Sequence, residues 1–381
     1  MQALPFRSAV DAYERQAREL LAGWRAGDPA AVAIFRHKHP RFLSDTIPWL
    51  PKPISDEQIR STPLDEFDAR LALARWYDFQ DWRWLRSWVD AVRDESSPVS
   101  RFEAAVEAVV GGDEAALAAQ IAADPDLVRA RSRRVTPFDP PVHRATLLHY
   151  VAANGVEGYR QRSPSNAVAI AKRLLASGAD ADALADMYGG RHATLTMLVS
   201  STPPAAAGVQ VALVDALVDG GASVDPIGDG PWSSPVVTAL AFGFREAAEA
   251  LVRRGARIDT LAAAAGLGQL DRCRSLLASA AAEDRHRALA LAAQLGHAPV
   301  VRLLLDAGED PSRYNPPALH AHATPLHHAA AAGHLDVVRL LVDRGARTDI
   351  RDRIWNATPL GWAIHGAQAP VAEYLKQRGA P

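Results

Sequence analysis

Thirteen histidines are spread through the 381 residues, and the densest run is His320, His322, His327, His328 and His334. Imidazole that is neutral near physiological pH suits proton transfer and zinc ligation. Neither a cysteine nor an acid completes a recognisable ligand spacing around this run, so no metal and no cofactor are expected. The single cysteine, Cys273, excludes an internal disulfide framework, and it is expected inside a helix, buried rather than reactive. The chain has no nucleophile elbow and no phosphate loop with a lysine. No catalytic residue is assigned, and any catalytic site would have to be assembled from residues far apart in the chain.

Two other groups of side chains carry chemical potential. The first is polar and aromatic: Asn154, Glu157, Tyr159 and Arg160, followed by Tyr188 and His192. As a small-molecule site, His192 would move a proton, Glu157 and Arg160 would orient a polar substrate, and Tyr159 and Tyr188 would form apolar walls. The plainer reading pairs Glu157 with Arg160 and packs Tyr159 beneath them. The second group consists of Trp232, Phe242 and Trp355, large rings suited to anchoring a partner.

The elements that must position these residues are most legible at 322–346. Thr324 caps a helix, and Pro325 sits in its first turn, where a missing N–H costs nothing. Small alanines follow, Gly333-His334 breaks the chain, and Leu335-Asp336 opens a second helix that Gly345 ends. Two such short helices cannot bury their apolar faces alone. The terminal glycine recurs at Gly178, Gly221, Gly255, Gly308, Gly345 and Gly379, and helix starts recur at Thr146, Thr324 and Thr358. The order Thr-Pro-Leu-His, Ala-Ala, Gly-His, Leu-Leu and Gly-Ala resembles an ankyrin repeat.

That resemblance implies an all-α ankyrin-repeat solenoid, made of helix-turn-helix units with short β-fingers. It assigns residues 98–381 to about eight repeats, with inserted inter-helix loops at 154–165 and 200–208. The repeat register further implies that Asn154, His192, Ser200, Ser201, Phe242, His286, Gln294 and His365 face a concave groove. His143, Trp232, His320 and Trp355 fall at finger tips, and His149, His327 and His334 take the repeat's own structural positions.

Residues 1–97 are not repeats and read as a helical, Trp-rich capping domain, with helices over 11–24, 30–36, 65–77 and 82–93. The run from Leu73 to Trp82 is similar to the front of certain bacterial ankyrin-repeat proteins. Trp76, Trp82, Trp84 and Trp88 are expected to anchor these helices on the first repeat.

A formal net charge of -2 with 23% charged residues gives no reason to expect a nucleic-acid partner. The opening residues carry charges where a signal peptide needs an apolar core, and no later apolar run could span a bilayer. A cytoplasmic protein without membrane contact is expected. The leading functional reading is a binding scaffold presenting a concave groove to a protein or peptide. The alternative is a small-molecule site or enzyme beneath the inserted loops.

Overall fold

The computed structural model of the chain describes every residue except Pro231 and Ala318. Among the described residues the chain is all-α apart from one hairpin, with twenty-two α-helices against two short strands. It divides into two compact units, Met1–Ser223 and Val224–Pro381. No helix of the described residues is long and apolar enough to cross a membrane.

The N-terminal unit begins with the helices Val10–Ala26, Pro29–Lys38, Asp56–Ser61, Glu66–Trp76 and Trp82–Arg93. Their boundaries follow from local chemistry. Asp28 Oδ1 accepts from the backbone N–H of Ala30 at 3.0 Å ahead of Pro29, and Asp65 and Asp68 close a reciprocal capping box on Glu66–Trp76. The short helix Asp56–Ser61, outside the helices expected from the sequence, has the same device in Ser55 and Gln58. Tyr13, Leu20, Phe35, Leu73, Phe79 and Leu85 form a common core, all nearly inaccessible to water.

Three further helix pairs, with the short helix Thr202–Ala206 in the stretch expected as the inserted loop 200–208, complete this unit. Pro98–Gly111, Leu147–Val151 and Thr194–Leu198 stack in one row. Glu114–Ala123, Ala167–Ala176 and Gln210–Asp219 stack in a second. Just ahead of Thr194–Leu198 the strands Leu184–Met187 and Gly190–Ala193 pair antiparallel, with Met187 opposite Gly190. The two residues at the tip, Tyr188 and Gly189, both have positive φ (55° and 76°), as a tight hairpin turn matched to strand twist demands.

The C-terminal unit repeats the pattern with five pairs. One row is Pro235–Ala241, Leu261–Gly266, Ala282–Gln294, Pro325–Ala332 and Pro359–His365. The other is Arg245–Arg253, Leu270–Leu277, Ala298–Asp306, Leu335–Asp343 and Ala369–Gln377. Small side chains let the first row pack closely: Ala264, Ala265, Ala288, Ala292, Ala329 and Ala330 are all fully buried. A side chain at Gly266 would bring Cβ within 2.8 Å of Leu240 Cδ1. Cys273 lies in this core, where burial pushes its thiol pKa up to about 11.

The histidines at repeated positions fasten these rows. His327 Nδ1 accepts from Thr324 N at 3.2 Å, and its Nε2 lies 3.2 Å from the carbonyl of Ala357 in the next pair. His149 makes the same two contacts with Thr146 and His192. His297 and His334 reach the Gly266 and Gln294 carbonyls at 3.0 Å. Each spans from one pair to its neighbour, so an imidazole in these places is structural.

Candidate functional site

The polar group of the N-terminal unit forms a closed ionic core. Arg160, on the short turn Gly158–Arg160, is 3% exposed. Its Nη1 donates to Glu157 Oε2 at 2.8 Å, and its Nη2 to Glu103 Oε2 at 2.8 Å and Glu107 Oε1 at 2.9 Å. Glu157 Oε1 also accepts from Tyr150 Oη at 2.7 Å and lies 2.9 Å from His143 Nε2. Since His143 Nδ1 accepts the Ala145 N–H, its Nε2–H is the group that donates to Glu157 Oε1. Burial disfavours the Glu157 carboxylate, but Arg134, Arg160 and the His143 N–H outweigh that and hold its pKa well below the usual range.

Arg134 ties this core to the N-terminal helices. Its Nη2 donates to the Tyr77 carbonyl at 2.7 Å and its Nη1 to Tyr159 Oη at 2.7 Å, while its guanidinium lies 4.0 Å from the centre of the Phe79 ring. Trp76 stacks on Tyr159 at 6.5 Å, and Trp88 is buried against Phe79.

A small-molecule site beneath the inserted loops therefore does not form as the sequence reading drew it. Glu157 and Arg160 are neutralised by buried protein groups and have no free face for a substrate. His192 is 2% exposed in the strand Gly190–Ala193, with its carbonyl accepting from His149. Asn154 Nδ2 donates to the Met197 carbonyl at 2.9 Å and to Ser200 Oγ at 2.6 Å. Only about 20 Å³ of cavity remains among His143, Tyr150, Asn154 and Glu157, roughly the room of a single water. Tyr188 alone of this group stays well exposed, with its hydroxyl 3.4 Å from Asn154 Oδ1.

The aromatic group of the C-terminal unit behaves differently. Trp232 and Phe242 lie 5.2 Å apart between ring centres, and Phe242 meets His320 at 5.9 Å. His320 meets His322 at 6.0 Å and His328 at 5.1 Å. His322 continues to Trp355 at 5.1 Å and Trp362 at 5.7 Å, and Trp362 closes on His328 at 5.3 Å. Ring contacts thus run unbroken from Trp232 to Trp355, with Phe242 41% and Trp355 57% exposed. These separations fall in the range where edge-to-face aromatic pairs are favourable.

Two devices hold the strip in place. His320, at a positive φ of 51°, sits with Nε2 3.1 Å from the Ala241 carbonyl, which also accepts from Gln294 Nε2 at 2.8 Å. Asp352 accepts from the backbone N–H groups of Ile354, Trp355 and Ala357, and from Trp362 Nε1 at 3.1 Å. Burial raises the pKa of the Asp352 carboxyl, but these donors outweigh it and leave the value below the ordinary one. Burial also lowers the pKa of His320, His322 and His328, the last most strongly, so the strip is uncharged at neutral pH. His322 Nδ1 and His328 Nε2 are buried without a hydrogen-bond partner among the described residues.

Two register assignments fall outside this strip. His286 is fully buried, with Nε2 3.1 Å from the Tyr314 carbonyl, and does not face a surface. The helix Ala282–Gln294 starts before it, so His286 lies inside the helix rather than ahead of its cap. His365 is exposed at the end of Pro359–His365 and takes no part in the ring contacts. Sequence reasoning missed Trp362 and Asp352. The signal for Asp352 was a carboxylate shortly before a run of turn residues; Trp362 gave none, because inward-facing helix positions are commonly apolar.

Among the described residues, no group of three or more His, Cys, Asp or Glu side chains could hold a metal ion. A comparison with curated proteins finds no match to the chain. Residues 284–316 match the family described as ankyrin repeat, and residues 316–381 match the family described as ankyrin repeats (3 copies). Ankyrin repeats therefore make up the stretch that carries His320, His322, His328, Trp355 and Trp362.

Proposed function

We propose that the chain is a binding scaffold whose C-terminal unit receives an apolar or aromatic segment of a partner protein along the strip from Trp232 to Trp355. Ankyrin repeats serve in general as protein-interaction modules. The observation that carries the reading is the unbroken ring contact that runs from Phe242, at the end of Pro235–Ala241, through His320 and His322 to Trp355, with Phe242 and Trp355 left open to solvent. A rigid surface of this kind loses little entropy on binding, and aromatic side chains supply most of the energy at such interfaces. In the same reading, residues 1–97 cap an array of about eight repeats, as the front of the bacterial proteins it resembles would, and the protein works in the cytoplasm without a cofactor.

Alanine at Phe242 or Trp355 is expected to weaken the partner by about 2 kcal/mol, roughly thirtyfold in Kd, with little change in thermal stability because both side chains are exposed. The check is quantitative capture from the protein's own cell extract by wild type and both variants in parallel. Recovery of the same proteins in equal amounts by all three would remove the strip as the binding surface.

A further inference from the structure

The N-terminal unit has a cavity that the scaffold reading does not use. It measures about 450 Å³ and lies beside Trp82–Arg93, the start of Pro98–Gly111 and the extended stretch 130–135. Pockets of this size hold small organic molecules. Its apolar wall is Phe79, Trp84, Trp88, Val99, Phe102 and Val142. Tight packing would ordinarily fill such a space with side chains.

The polar lining is strongly one-signed. Arg131, Arg133, Arg134 and Arg144 all contribute to it, against the single carboxylate of Glu103. That carboxylate is held by Arg160 Nη2 at 2.8 Å and lies 3.7 Å from Arg134, which Glu157 also faces at 3.5 Å, so the surplus rests on Arg131, Arg133 and Arg144. Arg131 donates only to the carbonyls of Arg144 and Leu184, at 2.8 and 2.6 Å. Arg133 and Arg144 are exposed, and their side chains have no hydrogen bond or ion pair among the described residues. Over the whole chain the formal charge is -2, so this positive surplus is local. Donors are also in surplus: Arg134 Nε, Trp84 Nε1 and Trp88 Nε1 are buried and have no acceptor.

We propose that this cavity binds a small planar aromatic carboxylate, its ring lying against the indoles of Trp84 and Trp88 and its anion facing Arg133 and Arg144. The wall favours a flat apolar body, and the unpaired guanidiniums favour a carboxylate, which they can hold with paired N–H donors. A neutral ring would gain the wall without the charge, and a cation would be repelled. The site is independent of the aromatic strip, because every lining residue belongs to the unit Met1–Ser223.

The test uses the full chain and three probes of one shape: 1-naphthoate, 1-naphthamide and 1-naphthylmethylamine, titrated by calorimetry. Naphthoate is expected to bind about tenfold tighter than the amide, and the amine not measurably. Arg133→Gln with Arg144→Gln should abolish that preference while leaving the amide unchanged. Ser87→Trp, which fills the cavity from an exposed position in its lining, should remove all binding without changing the thermal midpoint. Equal affinity for naphthoate and naphthamide, insensitivity to the arginine pair, or no saturable naphthoate binding at millimolar concentration would each overturn the proposal.

Discussion

Replacing Arg160 with methionine is expected to destabilise the unit Met1–Ser223 by about 3–5 kcal/mol, enough to threaten folding near body temperature. The guanidinium makes four short contacts with Glu103, Glu107 and Glu157, and both it and the Glu103 and Glu157 carboxylates are at most 3% exposed. Removing it leaves two buried carboxylates with Arg134 as the one arginine near both, at 3.7 Å from Glu103 and 3.5 Å from Glu157, while His143 and Tyr150 still hold Glu157 Oε1. Losing a charge from a buried pair costs more than replacing the whole pair with apolar groups. The double variant Arg160→Met/Glu157→Leu should therefore recover part of the loss. Urea denaturation followed by tryptophan fluorescence reads both effects, since Trp76 and Trp88 pack against this core. A change under about 1 kcal/mol for the single variant would mean that the network is solvated and that the burial argument fails.

Legibility in the sequence tracked the range over which each residue acts. The boundaries of Trp82–Arg93 could be read because Asp81 caps the helix three residues ahead, at Trp84 N. The Thr324/His327 box and the glycine at a φ of 78° after Ala332 are equally local, and they marked the ankyrin repeats of 284–381. The pairing of Glu157 with Arg160 was visible as neighbours three residues apart. The link from Arg134 to Tyr77 was not, because it joins groups 57 positions apart and no periodicity announces it.

The candidate surfaces show the same division. Repeat register singles out Phe242 and Trp355 from local sequence, and both side chains are exposed. His286 went astray because its helix extends N-terminally past the point where the register puts the cap. The arginine-lined cavity escaped the sequence entirely. Arg131, Arg133, Arg134 and Arg144 look like an ordinary basic loop until Trp82–Arg93 packs beside them to make a wall.

The second large effect is a loss of stability on acidification that begins well above the pH of carboxylate titration. Burial lowers the pKa of His149 and His327 to about 4, from an ordinary value near 6.5. Both imidazoles are fixed as acceptors at Nδ1, by Thr146 and Thr324, so a second ring proton would point at an N–H group. The folded chain takes up that proton only near pH 4, whereas the unfolded chain takes it up near 6.5. Between these values the unfolded state binds more protons, so stability is complete above pH 6.5 and falls as pH drops towards 4. Each histidine accounts for on the order of 3 kcal/mol over that span, about 2 of it by pH 5. His286, His297, His320, His322 and His328 are lowered in the same direction, so the unit Val224–Pro381 should be the more sensitive one. Glu157 adds nothing to the slope here, because its lowered pKa contributes stability that is lost only below the ordinary carboxylate range. Thermal midpoints of the full chain should accordingly fall steadily from pH 7 to pH 5. The variant His327→Gln keeps an acceptor for the Thr324 N–H but cannot titrate, so its stability should be lower at pH 7 and its pH slope shallower. Midpoints that do not move between pH 7 and pH 5, or a His327→Gln slope equal to that of wild type, would show that these imidazoles titrate normally in the folded chain.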